Sequence, residues 1–189
     1  MPYAEQRQQA NQLRQQISEL RAQLRELQAG VEPERIADYE FTDGDGPVHL
    51  SQLFGDHDTL FVVHNMGKGC VYCTLWADGL NGVIDHLQNR AAFALSSPDS
   101  PETQATFAKE RGWRFHMVSH ADSSFAEDMG YTSEHGFEPG VSVFRRTDDG
   151  IVRVADTRFG PGDDFCVVWP LFDLIPDGPA GWQPRYQYS

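Results

Sequence analysis

The stretch "HNMGKGCVYCTLWADGLNG", residues 64–82, contains the motif on which the interpretation of this chain depends. It holds Cys70 and Cys73, two of the three cysteines, in a Cys-x-x-Cys arrangement. Such a pair can be half of a zinc site, a structural disulfide, or a dithiol that opens and closes during chemistry. The sequence on either side of the pair distinguishes among these uses.

The motif lies where a strand gives way to a helix. Residues Thr59–His64 form a short apolar, β-rich run that predicts a buried strand, and a helical segment is predicted from near Cys70 to about Asn89. Cys70 therefore falls at the first helical turn, where unpaired N–H groups and the helix dipole favour a thiolate. Cys73 follows one turn later, within bridging reach. We expect Cys70 to attack a substrate and the more buried Cys73 to resolve the mixed disulfide.

Three nearby residues fit this redox interpretation. Lys68 is predicted to add positive charge near Cys70, which would favour its thiolate further. Gly67 and Gly69 are predicted to let the backbone turn closely and to leave space for a substrate chain. A Cys-x-x-Cys motif in a βαβ context of an intracellular protein is typical of thioredoxin-like redox sites.

The other uses of the pair have less support. A zinc site needs about four ligands, and the sequence has neither a second Cys-x-x-Cys nor a spaced histidine pair. His64 and His86 would have to fold back onto the cysteines, and Cys166 is far along the chain. We expect Cys166 to be a small buried hydrophobic residue. Inert buried thiols remain an alternative, and no metal or other cofactor is predicted.

Composition limits the partners and the compartment. The 189 residues carry a net charge of −13, which argues against binding to nucleic acid or to an anionic membrane surface. No apolar run approaches the ~20 residues of a membrane-spanning helix, and the N-terminus has no apolar signal core. We therefore predict a cytoplasmic protein, in whose reducing surroundings a lasting structural disulfide is not expected.

Residues 1–30 form a separate segment. Apolar residues recur three and four apart without an interrupting glycine or proline, which predicts one long amphipathic helix with a heptad seam. Gly30 and Pro33 end it. Such a helix covers its own domain or pairs two copies of the chain, so a homodimer is one possible assembly. The seam consists of Ala10, Leu13, Ile17, Leu20, Leu24 and Leu27.

Residues 39–176 alternate between strand and helix patterns, which predicts an α/β domain with a mixed sheet flanked by helices. An irregular tail, residues 177–189, follows. Pro170 implies a kink in the last helix or a late start. The predicted strands are 59–64, 91–96, 115–119, 141–144 and 151–154, and the predicted helices after the motif are 97–111, 124–129 and 165–174.

A peroxidase is the closest enzymatic alternative, because the same fold also hosts attack of one cysteine on peroxides. Such enzymes usually have Thr or Ser three residues before the attacking cysteine, where this chain has Gly67. They also need an arginine near the thiolate, for which Arg145 and Arg146 are the candidates. Trp76 is expected in the core, and Asp78 is expected to be a solvated or capping carboxylate in preference to a proton carrier for Cys73.

The chain also resembles a known family. Gly69-Cys70-x-x-Cys73-x-x-Trp76-Ala77-Asp78-Gly79, Gly112-Trp-Arg-Phe115 and Pro139-Gly-Val-Ser-Val-Phe144 are similar to a bacterial thioredoxin-like family of uncharacterised proteins, described as predicted dithiol-disulfide oxidoreductases. The resemblance covers residues 39 to 175. It implies a thioredoxin-like fold of the alkyl hydroperoxide reductase branch and a redox role for the two motif cysteines. It also makes Pro139 the candidate for the cis-proline of that fold.

Sequence and resemblance together predict a thiol-disulfide oxidoreductase with Cys70 as nucleophile and Cys73 as resolving thiol. Its substrate would be a protein or small-molecule disulfide, and its electron donor is not specified. A peroxiredoxin-like thiol peroxidase, or a non-catalytic interaction protein on the same scaffold, are the alternatives.

Overall fold

The apolar runs of the sequence pair into one mixed sheet. The computed structural model describes residues 2–188, which contain six α-helices and ten strands. The helices are α1 (Tyr3–Ala29), α2 (Val71–Gly82), α3 (Ile84–Arg90), α4 (Pro101–Arg111), α5 (Phe125–Asp128) and α6 (Val168–Phe172). The strands are β1 (Glu34–Ile36), β2 (Glu40–Asp43), β3 (Gly46–His49), β4 (Thr59–His64), β5 (Ala92–Ser97), β6 (His116–Ser119), β7 (Thr132–Ser133), β8 (Gly136–Phe137), β9 (Gly140–Thr147) and β10 (Gly150–Arg158).

The strand before the motif lies in the middle of an eight-stranded sheet with the order β1-β10-β9-β4-β5-β6-β2-β3. Strand β4 pairs in parallel with β5, and β5 pairs in parallel with β6, because helices connect them. On its other side β4 pairs antiparallel with β9, so that His64 lies opposite Gly140. The C-terminal ends of β4, β5 and β6 therefore meet at one edge, from which the Cys-x-x-Cys loop leaves.

Side chains of β4 alternate between two cores, as the period of a strand requires. Leu60 and Val62 belong to one buried cluster, together with Phe125 of α5, whereas Val63 belongs to the other, together with Trp76 of α2. Because both faces are covered, the strand is apolar from Leu60 to Val63. This confirms the predicted α/β architecture.

Three predicted helices differ in their limits. The helix predicted after the motif is broken at Val83 into α2 and α3. Helix α4 begins at Pro101, later than predicted, because the Ser100 side chain accepts a hydrogen bond from the Thr103 amide, and it ends at Gly112 in a left-handed conformation, as predicted. Helix α6 begins late, at Val168, so that Pro170 lies in its first turn, where a missing N–H removes no helical hydrogen bond.

Strands β1, β2, β3, β7 and β8 and the 3-10 helix Leu50–Phe54 have no counterpart among the predicted elements. Two of them join the sheet through long-range pairs, β2 through Thr42 opposite Ser119 of β6 and β1 with β10, whereas the β2–β3 and β7–β8 pairs are local hairpins. Strands this short carry little periodicity from which to detect them in the sequence.

The chain divides into two compact units between Pro33 and Glu34. The first consists mainly of α1, which confirms the predicted long N-terminal helix with a length of 27 residues, and none of its described residues is buried. Leu13, Leu20 and Leu27 of its seam are more than half exposed, at 59, 62 and 69%. The homodimer through this helix stays a prediction, which the mass of the full chain in solution tests. No helix within residues 2–188 is both long and apolar enough to cross a membrane.

Candidate functional site

Cys70 is the N-cap residue of α2, with an extended backbone that lets its side chain turn back over the first helical turn. Its Sγ accepts a hydrogen bond from the Cys73 amide at 3.1 Å. This is the position in which a helix has unpaired N–H groups to offer an anion. Cys70 is partly exposed and Cys73 is buried, at 3% exposure, and both are free thiols. The structure thus brings the two predicted residues together, one accessible and one covered.

Hydrogen bonding separates the acidities of the two thiols. The Cys73 thiol donates a hydrogen bond to Cys70, and this bond is the largest cause of the lowered pKa of Cys70, about 7. The Cys73 and Tyr72 amides lower this pKa further, whereas the partial burial of Cys70 raises it. The pKa of Cys73 is raised by that same hydrogen bond, by burial and by the charge of Cys70. The charge of Lys68 does not contribute to the lowered pKa of Cys70, contrary to the prediction. Hydrogen bonds lower this pKa instead.

This arrangement predicts the pH dependence of thiol alkylation. The iodoacetamide reaction of Cys70 is expected to rise with pH to a plateau with a midpoint near pH 7, because only the thiolate reacts. Cys73 and Cys166 are expected to react slowly throughout, since both are buried. Peptide mass spectrometry after timed alkylation measures each site. A Cys70 midpoint near pH 8.5, the value of a free thiol, would contradict the hydrogen-bonded arrangement.

The loop before Cys70 is held by side chains of two strand ends. Asn65 Oδ1 accepts a hydrogen bond from the Gly67 amide at 2.8 Å, and Asp99 Oδ2 accepts one from the Lys68 amide at 2.7 Å. Gly67 has a φ of +96°, and a Cβ placed there would lie 3.0 Å from Asp99 Oδ2. Glycine is therefore required at this turn by its conformation and by the close carboxylate.

Asp78 has a different role from the predicted one. Its carboxylate accepts hydrogen bonds from Nε and Nη2 of Arg111, and another from Trp113 Nε1 at 2.8 Å. It is thus neither a free solvated carboxylate nor a helix cap. It ties α2 to the end of α4, which makes it part of the support of the motif helix. Trp76 is buried in the core at 3% exposure, as predicted, and so is Cys166, at 2%.

The C-terminal tail reaches the motif, which the sequence did not indicate. Tyr186 Oη donates a hydrogen bond to the Lys68 carbonyl at 2.9 Å, and the Tyr186 carbonyl accepts one from Arg111 Nη1 at 2.6 Å. The pKa of Tyr186 is raised by burial and by the nearby sulfurs of Cys70 and Cys73. Arg111 therefore joins the tail, α4 and, through Asp78, α2.

A layer of buried polar side chains lies at the strand ends below the loop. His64 Nε2 is 2.8 Å from Ser142 Oγ, and His120 Nδ1 is 2.6 Å from Ser96 Oγ. Burial lowers the pKa of both histidines, that of His120 to about 4, so both are neutral at pH 7. The His64 ring is also stacked 3.7 Å from that of Tyr131. In the sequence, this layer was indicated only by the polar residue His64 at the end of the apolar strand β4.

Arg145 and Arg146 do not reach the thiolate. Arg145 pairs with Thr59 at the start of β4, whereas the motif follows the end of that strand, about 16 Å away at ~3.3 Å per residue. The Arg146 side chain donates to the Ser51 carbonyl at 3.1 Å and lies over the Phe54 ring. The prediction of a catalytic arginine at these two positions is therefore wrong, because the antiparallel pairing of β9 carries them to the opposite edge of the sheet.

Pro139 directly precedes β9, whose first residue lies opposite His64, as expected for the fold's proline position. Its peptide bond is trans, however, as is every other peptide bond in residues 2–188, so the cis-proline candidate is corrected. In the same part of the chain no three His, Cys, Asp or Glu side chains are placed to hold a metal ion together.

Several solved structures of peroxiredoxins are similar to this chain in fold. The chain is 23% identical to the peroxidoxin BcpB from Mycobacterium tuberculosis, with a TM-score of 0.57 over 68% of this chain and 86% of that one. It is 16% identical to a peroxiredoxin Q variant from Xanthomonas campestris, with a TM-score of 0.54 over 63 and 79%. For reduced Prx3 from Vibrio vulnificus in complex with H2O2, the identity is 14% and the TM-score 0.55 over 70 and 90%. At these identities the likeness establishes the thioredoxin-like fold.

A comparison with curated proteins gives no match. A family model does match, over residues 4–187, and it covers both the heptad-patterned helix and the motif. Nearly the whole chain thus matches a family of unknown function, which agrees with the resemblance to uncharacterised bacterial proteins and leaves the dithiol-disulfide activity a prediction. The chain belongs to the family described as bacterial proteins of unknown function (DUF899).

Proposed function

We propose that the protein is a thiol-dependent reductase in which Cys70 attacks and Cys73 resolves, with hydroperoxide as the first candidate substrate. The observation that carries the proposal is the Cys70 Sγ at the N-cap of α2, hydrogen-bonded to the Cys73 amide at 3.1 Å. That position favours a reactive thiolate, and the buried thiol beside it is placed to replace the product of the first attack. Similarity to peroxiredoxins, one of them in complex with H2O2, supports the choice of substrate.

The proposed reaction has two steps. The Cys70 thiolate attacks the terminal peroxide oxygen, the O–O bond breaks, and Cys70 becomes a sulfenic acid. The alkoxide or hydroxide that leaves takes up a proton from water and departs as an alcohol or as water. The Cys73 thiol then attacks that sulfur, and water leaves as the disulfide forms. Cys73 keeps its proton until this step because its pKa is raised. The chemistry uses the cysteine pair and no further cofactor.

Exchange with a disulfide substrate is the second candidate. Two features favour it: glycine occupies the position of the peroxidase Thr or Ser, and the two candidate arginines lie at the far end of β4. Attack of Cys70 on an S–S bond needs neither group, because the leaving sulfur requires less stabilisation than an alkoxide. The same buried Cys73 would then release the substrate thiol.

Stopped-flow oxidation tests the proposal and separates its two forms. Reduced protein is mixed with H2O2, with cumene hydroperoxide or with a small disulfide, and Trp76 fluorescence and alkylation mass report formation of the Cys70–Cys73 disulfide. Peroxide reaction much faster than that of free cysteine supports the peroxidase. Peroxide rates no better than free cysteine with rapid disulfide exchange support the second candidate. A pair that forms no disulfide with either oxidant overturns both and leaves a non-catalytic scaffold.

A further inference from the structure

A cavity of about 310 Å³ lies beside the motif and is not used by the proposed attack. Its volume is at the lower limit of the roughly 300–1,000 Å³ typical of small-molecule sites. Both the loop before Cys70 and the outer face of α4 contribute to it. It is lined by Lys68, Glu102, Thr103, Thr106, Phe107 and Glu110.

Tyr186 connects this cavity to the cysteines. Its hydroxyl holds the carbonyl of Lys68, two residues before Cys70, and its ring packs edge-on against Phe107 with the centroids 6.3 Å apart. Lys68 and Phe107 are both cavity residues, so Tyr186 touches two of its walls. The Cys70 and Cys73 sulfurs are also close enough to raise the pKa of Tyr186. The Tyr186 side chain therefore lies between the cavity and the two thiols.

The charges around the cavity specify its ligand. Three charged residues line it and have no ion-pair partner among residues 2–188, namely Lys68, Glu102 and Glu110. An ammonium side chain binds a carboxylate, and a carboxylate binds an ammonium group. A plain anion would also be repelled by a chain of net charge −13, whereas a zwitterion would not.

We propose that this cavity binds a small zwitterionic thiol, of the amino-acid type, that reduces the Cys70–Cys73 disulfide. The inference rests on the proposed function, since only a pair that has been oxidised needs a reductant. It assigns the electron donor to a class of small molecule, for either candidate substrate.

The reduction is balanced by two molecules of thiol. The thiolate of the first attacks the more accessible Cys70 sulfur, the S–S bond breaks, and Cys73 leaves as a thiolate that takes up a proton from water. The second thiol attacks the outer sulfur of the mixed disulfide on Cys70. Cys70 leaves as the thiolate, and the two small molecules depart joined as their own disulfide.

Four thiols of similar size test the recognition. Oxidised full-length protein is reduced with cysteine, with cysteamine, with mercaptopropionate and with mercaptoethanol, and alkylation mass follows the loss of the disulfide. Each rate is divided by the rate of the same thiol with free hydroxyethyl disulfide, which removes differences in intrinsic nucleophilicity. Cysteine is expected to be the fastest on this scale. Equal scaled rates for all four thiols would overturn the inference.

Charge variants locate the recognition in the cavity. Cysteamine lacks the carboxylate that Lys68 would bind, so Lys68→Gln is expected to reduce the preference for cysteine over cysteamine about threefold, as for exposed ion pairs. Mercaptopropionate lacks the ammonium group, so the double variant Glu102→Gln/Glu110→Gln is expected to reduce the preference for cysteine over mercaptopropionate by a similar factor. Lys109→Gln changes the only other lysine, which does not line the cavity, and Glu127→Gln is the matched acidic control. Equal effects of the controls would contradict the site.

Failure of this inference and failure of the proposed function give different results. If no Cys70–Cys73 disulfide forms with any oxidant, the proposed function is wrong. If the disulfide forms and dithiothreitol reduces it, while the four small thiols do not differ, the function stands and the cavity is not the reductant site.

Discussion

Replacing Cys70 by serine is expected to abolish reduction of peroxide or disulfide, with a loss of about 10³-fold or more, as for removal of an enzymatic nucleophile. A serine hydroxyl is not ionised near pH 7, whereas about half of Cys70 is thiolate there, compared with about 3% of a free cysteine. Initial rates with each oxidant measure the loss. The mass of the protein after oxidation should show no disulfide between positions 70 and 73.

Two replacements of Cys73 separate its two roles. Cys73→Ala removes both the resolving thiol and the hydrogen bond that is the largest cause of the lowered pKa of Cys70. We expect a single oxidation of Cys70 without turnover, and an alkylation midpoint above pH 7. Cys73→Ser also stops turnover, but its hydroxyl can donate to Cys70, so its alkylation midpoint should lie below that of the alanine variant.

Cys166→Ala is the control for loss of a thiol, because Cys166 is buried and does not contribute to the lowered pKa of Cys70. This variant is expected to leave the Cys70 midpoint near pH 7. Turnover by Cys70→Ser at the wild-type rate would remove Cys70 from the mechanism. Continued turnover by Cys73→Ala would show that another thiol resolves the intermediate.

Gly140→Ala is expected to cause the largest loss of stability, about 2–4 kcal/mol, because it overpacks a rigid part of the core. A Cβ at this position would lie 2.3 Å from the Tyr131 ring and 2.5 Å from the Thr157 carbonyl oxygen. The carbonyl belongs to the neighbouring strand β10, which cannot move away without breaking its pairing with β9. Since Gly140 lies opposite His64, the strain would fall directly below the motif loop.

Urea unfolding followed by tryptophan fluorescence measures this effect, since all four tryptophans lie in the unit that begins at Glu34. Gly160→Ala is the matched control, because a Cβ there meets no atom within 4 Å and its backbone is not left-handed. A Gly140→Ala variant no less stable than Gly160→Ala would contradict the close approach of β9, β10 and Tyr131.

The site combines a reactive sulfur with a rigid support. The loop before Cys70 is fixed by Asn65 and Asp99, and α2 is tied to α4 through Asp78 and Arg111. None of these residues touches the sulfurs through its side chain in the described contacts, yet together they set the direction in which the helix N-terminus presents Cys70. Neutral histidines beneath the loop add no charge that would compete with the thiolate.

The features that the sequence alone determined are local ones. The sequence shows a largely apolar run of six residues, then a Cys-x-x-Cys motif, then a helix pattern, and this order predicts a thiol at a helix N-terminus. These patterns can be detected because the periods of 2.0 residues in a strand and 3.6 residues in a helix are set by local backbone geometry. Helix α1 and the end of α4 at Gly112 were predictable for the same reason. The resemblance of the motifs to a known family added the expectation of a thioredoxin-like fold of the alkyl hydroperoxide reductase branch.

Only the tertiary structure decided which distant residues surround that thiol. Tyr186 lies 118 residues from Lys68, whose carbonyl it binds, and Arg111 lies 33 residues from Asp78. The direction of β9 sent Arg145 and Arg146 to the far edge of the sheet and brought Gly140 to His64. Such contacts depend on strand order and on the path of the tail, and no local spacing records either, so the supports of the site emerged only once the chain was folded.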